Sequence, residues 1–237
     1  MHLLSIDERL NNPKISKIEI GQRESFVDAL RKINLTNGAH ALSVSCGDGI
    51  WDYLALREKI GISKITATDI VECPVRETDQ ELLRRMGEWE FARTEPDKSL
   101  PFADETFDIV FHQDVIEHTE KPYLFVQEQC RVLRRGGAMI VGTPNLLRPA
   151  NIAKAFAGRL QFPVKIGSFE EIGDYVHVQE FHEAQITLLM KECGLSNVEV
   201  QHVYFGLSMT NVCFSMFPTS RLGKTFAHFL VCTGRKA

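Results

Sequence analysis

Hydrophobic and polar positions along this chain follow two periods in turn. Short apolar or β-branched runs of strand length occur at Ala41–Val44, Lys64–Thr68, Trp89–Ala92, Phe107–His112 and Ala138–Gly142. Between them apolar positions recur at helical spacing. The pattern predicts helices over Gln22–Leu35, Ile50–Ile60, Pro74–Met86, Lys121–Leu133 and His182–Cys193, with Gly61, Gly87, Gly136 and Gly194 as stop signals. Strand and helix alternating in this way predict a parallel α/β sheet. The last strand, Ala138–Gly142, is apolar on both faces, as a central strand is. After Pro144 the alternation stops. Residues 146–173 hold Pro149, Pro163, Gly158, Gly167 and Gly173, and no clean strand. Val198–Phe205 and Phe226–Thr233 are strand-like and are expected to close the sheet at one edge. Asn11-Asn12-Pro13 marks a turn, and Ile15, Ile18 and Ile20 are read as a short extended segment; the rest of residues 1–20 is uninformative.

In an open α/β sheet, ligands bind at the carboxyl ends of the strands. The residues just past each run therefore carry the candidate chemistry. After the first strand stands Ser45-Cys46-Gly47-Asp48-Gly49, a turn whose glycines allow close approach to bare backbone. After the second stands Asp69, at the distance expected for a carboxylate that accepts hydrogen bonds from ribose hydroxyls. A dinucleotide would want a third glycine where Asp52 stands. Aspartate there adds bulk and repels phosphate, which disfavours a nicotinamide or flavin dinucleotide. A nucleoside ligand without phosphates fits better, and S-adenosylmethionine is such a ligand.

Five segments then occur in order: A-L-S-V-S-C-G-D-G, the acid in T-A-T-D-I, L-P-F-A-D-E-T-F-D-I-V-F-H-Q-D-V-I-E-H, C-R-V-L-R-R-G-G-A-M-I-V-G-T-P-N and H-V-Q-E-F. In these the chain resembles the class I S-adenosylmethionine-dependent methyltransferases, over roughly residues 22–200. The resemblance implies a Rossmann-like, doubly wound, seven-stranded and mostly parallel sheet with an antiparallel edge strand and a cap insert. It implies one domain over 1–237, with an N-terminal helical extension at 1–38 and the cap at 146–180. It assigns Ser45, Cys46, Gly47 and Gly49 to the methionine end of S-adenosyl-L-methionine, Asp69 to the ribose, and Ile70 to the adenine face. An acid in Glu95-Pro96-Asp97, Asp97 in first place, would meet the adenine amino group. Gln113 and Asp114 would line the sulfonium region. Ser43 and Ser45 depart from the family, which usually has an acid and a first glycine there. A non-catalytic cofactor-binding or regulatory protein of the same fold is the alternative these serines keep open.

The net charge of −4 argues against nonspecific nucleic-acid binding. No Asn/Asp-Pro-Pro-aromatic motif and no Pro-Cys pair follows the fourth strand, so nucleobase methylation is disfavoured. The six cysteines are scattered without a C-x-x-C pair; free thiols, a cytoplasmic setting and no metal centre are expected. The N-terminus does not read as a secretory signal, and no stretch is long and apolar enough to span a membrane. Methyl transfer needs an oriented acceptor and excluded water, and an oxygen acceptor also needs a base. His112, His118 and His177 are the candidates, with His118 and His177 as the catalytic expectation. A small-molecule, lipid-linked or sugar acceptor, methylated on oxygen, is expected. Residues 146–168 carry Arg148, Lys154, Arg159 and Lys165 and no acid. They read as a cap over the acceptor, a peripheral membrane contact, or a patch for an anionic acceptor. Phe205, Met209, Phe214, Met216 and Phe217 are read as core or as the wall of an apolar acceptor pocket.

Overall fold

The computed structural model of the chain describes residues 4–96, 98–160, 162, 177–208 and 212–237. Its centre is a seven-stranded sheet. Five strands run parallel: β1 (Ala39–Ser43), β2 (Ile62–Asp69), β3 (Glu88–Arg93), β4 (Phe107–Gln113) and β5 (Leu133–Pro144). β6 (Leu195–Val203) forms the far edge. A separate hairpin of β7 (Phe205–Leu207) and β8 (Val212–Ser215) follows it. β9 (Phe229–Lys236) inserts antiparallel between β5 and β6, giving the order β3-β2-β1-β4-β5-β9-β6. The antiparallel strand thus lies one place in from the edge. Strand order reverses between β1 and β4, and the crevice above that point is where such a sheet takes its ligand.

Helices cover both faces. On one side α2 (Lys17–Lys32), α3 (Ile50–Arg57) and α4 (Glu77–Met86) pack on a core that includes Phe26, Leu30, Leu54, Ile65, Leu83 and Phe111. Phe26 meets Trp51 and Phe111 edge to face, each with ring centroids 5.3 Å apart. On the other side α5 (Pro122–Val132) and α7 (Glu183–Glu192) cover Leu42, Val110, Met139, Val141 and Leu230. Each such fully buried side chain contributes about 1.5–3 kcal/mol.

Several boundaries differ from the sequence reading, each for a local reason. Ile18 and Ile20 are helical rather than extended: Ser16 caps α2 by accepting the Glu19 N–H at 3.1 Å, so the helix starts five residues before Gln22. A short helix not expected from the pattern, α1 (Ile6–Leu10), has a capping box between Ser5 and Glu8 and a buried Ile6. The insert after Pro144 contains α6 (Pro149–Phe156), begun by its proline. A last short helix, α8 (Arg221–Thr225), precedes β9. The apolar segment near the C-terminus is neither all core nor all pocket wall. Met216 packs on the core, whereas Phe214 and Phe217 are exposed; Met209 lies outside the described residues. All six cysteines are free. Among the described residues no helix is long and apolar enough to cross a membrane.

Candidate active site

The turn after β1 is built by its neighbour strands. Val44 N–H donates to the Phe111 carbonyl of β4 at 3.0 Å, and Cys46 N–H to the Thr68 carbonyl of β2 at 2.8 Å. The chain then reverses with three positive φ angles: 54° at Ser45, 55° at Gly47 and 83° at Gly49, which caps α3. Glycine adopts such angles freely; serine does so at a cost of roughly 1–2 kcal/mol. A side chain at Gly47 would meet nothing within 4 Å, so open space lies over the turn. Cys46 points inward, and burial pushes its thiol well above the ordinary range.

Asp69 closes this half of the site. One carboxylate oxygen accepts Ile70 N–H at 2.8 Å and Val71 N–H at 3.4 Å; the other accepts Gly47 N–H at 3.2 Å. The acid therefore fixes the turn and keeps lone pairs for a ligand. Ile70 follows it, half-buried. Asp97 lies outside the described residues. Glu95 pairs with Lys98 and is exposed.

Asp52 takes no part in the open side of the turn. It is wholly buried and accepts the Trp89 indole N–H at 2.7 Å, joining α3 to β3. Burial pushes its carboxyl up to about 6, against hydrogen bonds from Ser43 and Trp89 that pull it down. The acid absent at position 43 thus has a counterpart in the first turn of α3, where Asp52 meets the Ser43 side chain. Asp48 is likewise turned inward. It accepts Ile50 N–H at 3.2 Å and receives Arg9 of α1 at 2.9 Å. Arg9, which sequence reasoning missed, also pairs with Glu19 at 2.6 Å.

The facing half rises from the end of β4. The Gln113 side chain is buried, lies across Gly142 of β5, and has no hydrogen-bond partner at either polar atom. Asp114 has φ 55°, a second non-glycine held in the left-handed region beside the crevice. It is exposed to solvent. The protein packed around it shifts its carboxyl upward, against the nearby charges of His177, Arg9 and Arg148, which favour the ionised form. A single 3₁₀ turn, Ile116–His118, then presents Glu117 and His118.

Glu117 is fully buried. One oxygen accepts the Thr143 hydroxyl at 3.0 Å, and the other has no hydrogen-bond partner. Burial, then Asp114 and Glu180, raise its pKa well above the carboxylate range. Its backbone carbonyl accepts Val178 N–H at 2.8 Å, which brings His177 to His118 with ring centroids 5.0 Å apart. Glu180 orients His177 by accepting from Nδ1 at 2.7 Å, and it also receives Arg148 at 2.5 Å and Asn151 at 2.7 Å. Burial opposes the charge on Glu180, but these three partners hold its pKa below the ordinary value. His112 is elsewhere: it is buried under α5 on Gln129, and desolvation pushes it down to about 4. A groove lined by Arg84, Gly87, Glu88 and Trp89 sits beside the start of β3, at the opposite edge of the sheet.

Residues 42–141 match the family model for a methyltransferase domain. A Mycolicibacterium smegmatis protein described as a probable S-adenosylmethionine-dependent methyltransferase is 28% identical over 113 residues, covering 48% of this chain and 38% of its own length. The ubiquinone biosynthesis O-methyltransferase of Parvibaculum lavamentivorans is 40% identical over 48 residues, 20% of this chain and 19% of that one. The chain spans about half the length, or less, of the curated relatives it matches. The crystal structure of a SAM-dependent methyltransferase from Thermotoga maritima shares the fold with a TM-score of 0.58 at 19% identity, over 98% of this chain and 99% of that one.

Proposed function

We propose that this chain, whose residues 42–141 match a methyltransferase-domain family model, is an S-adenosylmethionine-dependent methyltransferase that methylates an oxygen of a small-molecule, lipid-linked or sugar acceptor. The observation that carries this reading is the pairing of the two half-sites across β1 and β4. A strained glycine turn latched to Asp69 faces a polar cluster of Asp114, Glu117, His118 and His177. The residues fit the cofactor that family and fold imply. Open space lies over Gly47, Asp69 keeps acceptor capacity, and Gln113 has an unpartnered buried amide. When bound, S-adenosyl-L-methionine supplies a methyl group on a sulfonium, already activated toward displacement.

The chain's own groups do the rest. Backbone at Ser45, Cys46, Gly47 and Gly49 holds the methionine end, Asp69 accepts from the ribose hydroxyls, and Ile70 covers the adenine. Asp97 is proposed for the adenine amino group, and Gln113 and Asp114 for the sulfonium end. The acceptor hydroxyl lies against the histidine cluster and gives up its proton there, with His118 and His177 as candidate carriers. The insert at 146–180 is proposed as the cap; at its start Arg148, the residue before α6, and Asn151 of α6 both bond Glu180. Water exclusion beneath that cap protects the displacement. The named relative that acts as an O-methyltransferase supports oxygen as the target.

A panel of phenols, polyols, sugars, prenylated quinols and amines, assayed with ¹³C-methyl cofactor, tests the acceptor class. Methyl resonances of ethers are expected. Methylamine products alone would refute the oxygen assignment. Binding of cofactor with no transfer to any member would favour the non-catalytic alternative.

A further inference from the structure

We propose that Glu117, His118 and His177 form a site for a divalent transition-metal ion at the acceptor end of the crevice. One donor atom from each residue can be chosen so that all three lie within 4.8 Å of one another. Tetrahedral bonds of about 2.1 Å would set such atoms about 3.4 Å apart, so small side-chain rotations close the set. Two imidazoles and one carboxylate are a donor set suited to zinc-like ions, and three protein ligands leave a position open.

Three further observations point the same way. Glu117 is fully buried, yet one of its oxygens has no hydrogen-bond partner. An orphaned buried carboxylate oxygen is costly unless a cation meets it. The Thr143 hydroxyl bonds the other oxygen and orients the group. Glu180 accepts from Nδ1 of His177, the outer-shell carboxylate that ligating histidines commonly have; Nε2 is left as the donor. Arg148 and Asn151 in turn hold Glu180, so α6 braces the site. Asp114, exposed and within electrostatic reach of His177, adds a carboxylate near the cluster.

This deepens the reading above and rests on it for what occupies the open position. An acceptor with an oxygen, or two neighbouring oxygens, able to reach the ion would be selected over an amine. The histidine nitrogens would then serve as ligands rather than as proton carriers.

The test is metal binding to the whole chain, stripped by chelator and titrated with Zn²⁺ against a chromophoric competitor, with Co²⁺ absorption as a second readout. One equivalent is expected. Glu117→Gln, His118→Ala and His177→Ala should each weaken it by at least about tenfold, and Glu180→Gln by about tenfold or more through loss of orientation. Glu180→Gln and His177→Ala lie outside the sheet, so they keep the test open if Glu117→Gln does not fold. Zinc binding that is absent, or that is unchanged in every variant because thiols hold it, overturns the site. Cofactor affinity is measured on the same samples. Cofactor binding without zinc binding defeats this site alone, and zinc binding without cofactor binding defeats the methyl-transfer reading alone.

Discussion

Ser45 and Asp52 show most directly how single residues shape this site. Ser45 holds φ 54° without the freedom of glycine. Ser45→Gly should therefore stabilise the fold by about 1 kcal/mol, read as a higher urea midpoint. A lower midpoint would mean that the serine side chain contributes more than its backbone costs. Asp52 gives a pH dependence. Its folded pKa, about 6, lies above the ordinary aspartate value of 3.8, so between these values the folded state binds more protons than the unfolded state. Stability from this group is therefore complete below the lower value and falls as pH rises toward the upper one, by about 3 kcal/mol in all. Asp52→Asn keeps a carbonyl for the Trp89 indole and removes that loss. Urea unfolding from pH 4 to 8 should show the variant gaining on the parent as pH rises, flattening above the upper pKa. A constant difference across that range would contradict the assignment.

At the scale of elements, Glu180 is a junction between α6 and the residues that return to the end of β4. It links Arg148 and Asn151 of the α6 region to His177, and the Glu117 carbonyl ties Val178 to the end of β4. Glu180→Ala strands Arg148 beside an apolar gap and should cost about 3 kcal/mol locally. Hydrogen exchange should quicken at Asn151, Ile152 and Val178 while β1 and β4 keep their protection. Uniform change across the sheet would mean that the cap and core open together. The loop before β4 is fixed differently. Arg131 of α5 donates to the Leu100 and Phe102 carbonyls at 3.0 and 2.9 Å and pairs with Asp104 and Glu128. Its position near the helix end favours the macrodipole, but its larger effect is to pin the L-P-F segment.

For the whole molecule, the parts readable in sequence were those with a local signature. The β1 turn, Asp69 and the alternation of strand and helix each depend on neighbours a few residues apart. Arg9 was not readable, because its meeting with Asp48 depends on how α1 folds back over α3. The S-x-x-E at Ser5–Glu8 is the one local signal for that helix. Likewise Glu117, His118 and Glu180 sat in quoted motifs, but their convergence with His177 arises only when the insert returns to β4. The place of β9 inside the sheet was also hidden, since strand order leaves no local pattern.

The central claim is that the crevice over β1 and β2 takes S-adenosyl-L-methionine through the turn and Asp69. Calorimetric titration of the whole chain with this cofactor and with S-adenosylhomocysteine tests it most directly. The account predicts one site for each, with Asp69→Ala weakened by about tenfold to a hundredfold, the worth of hydrogen bonds to a charged group. No binding at millimolar cofactor, or an Asp69→Ala variant that binds as well as the parent, would contradict it.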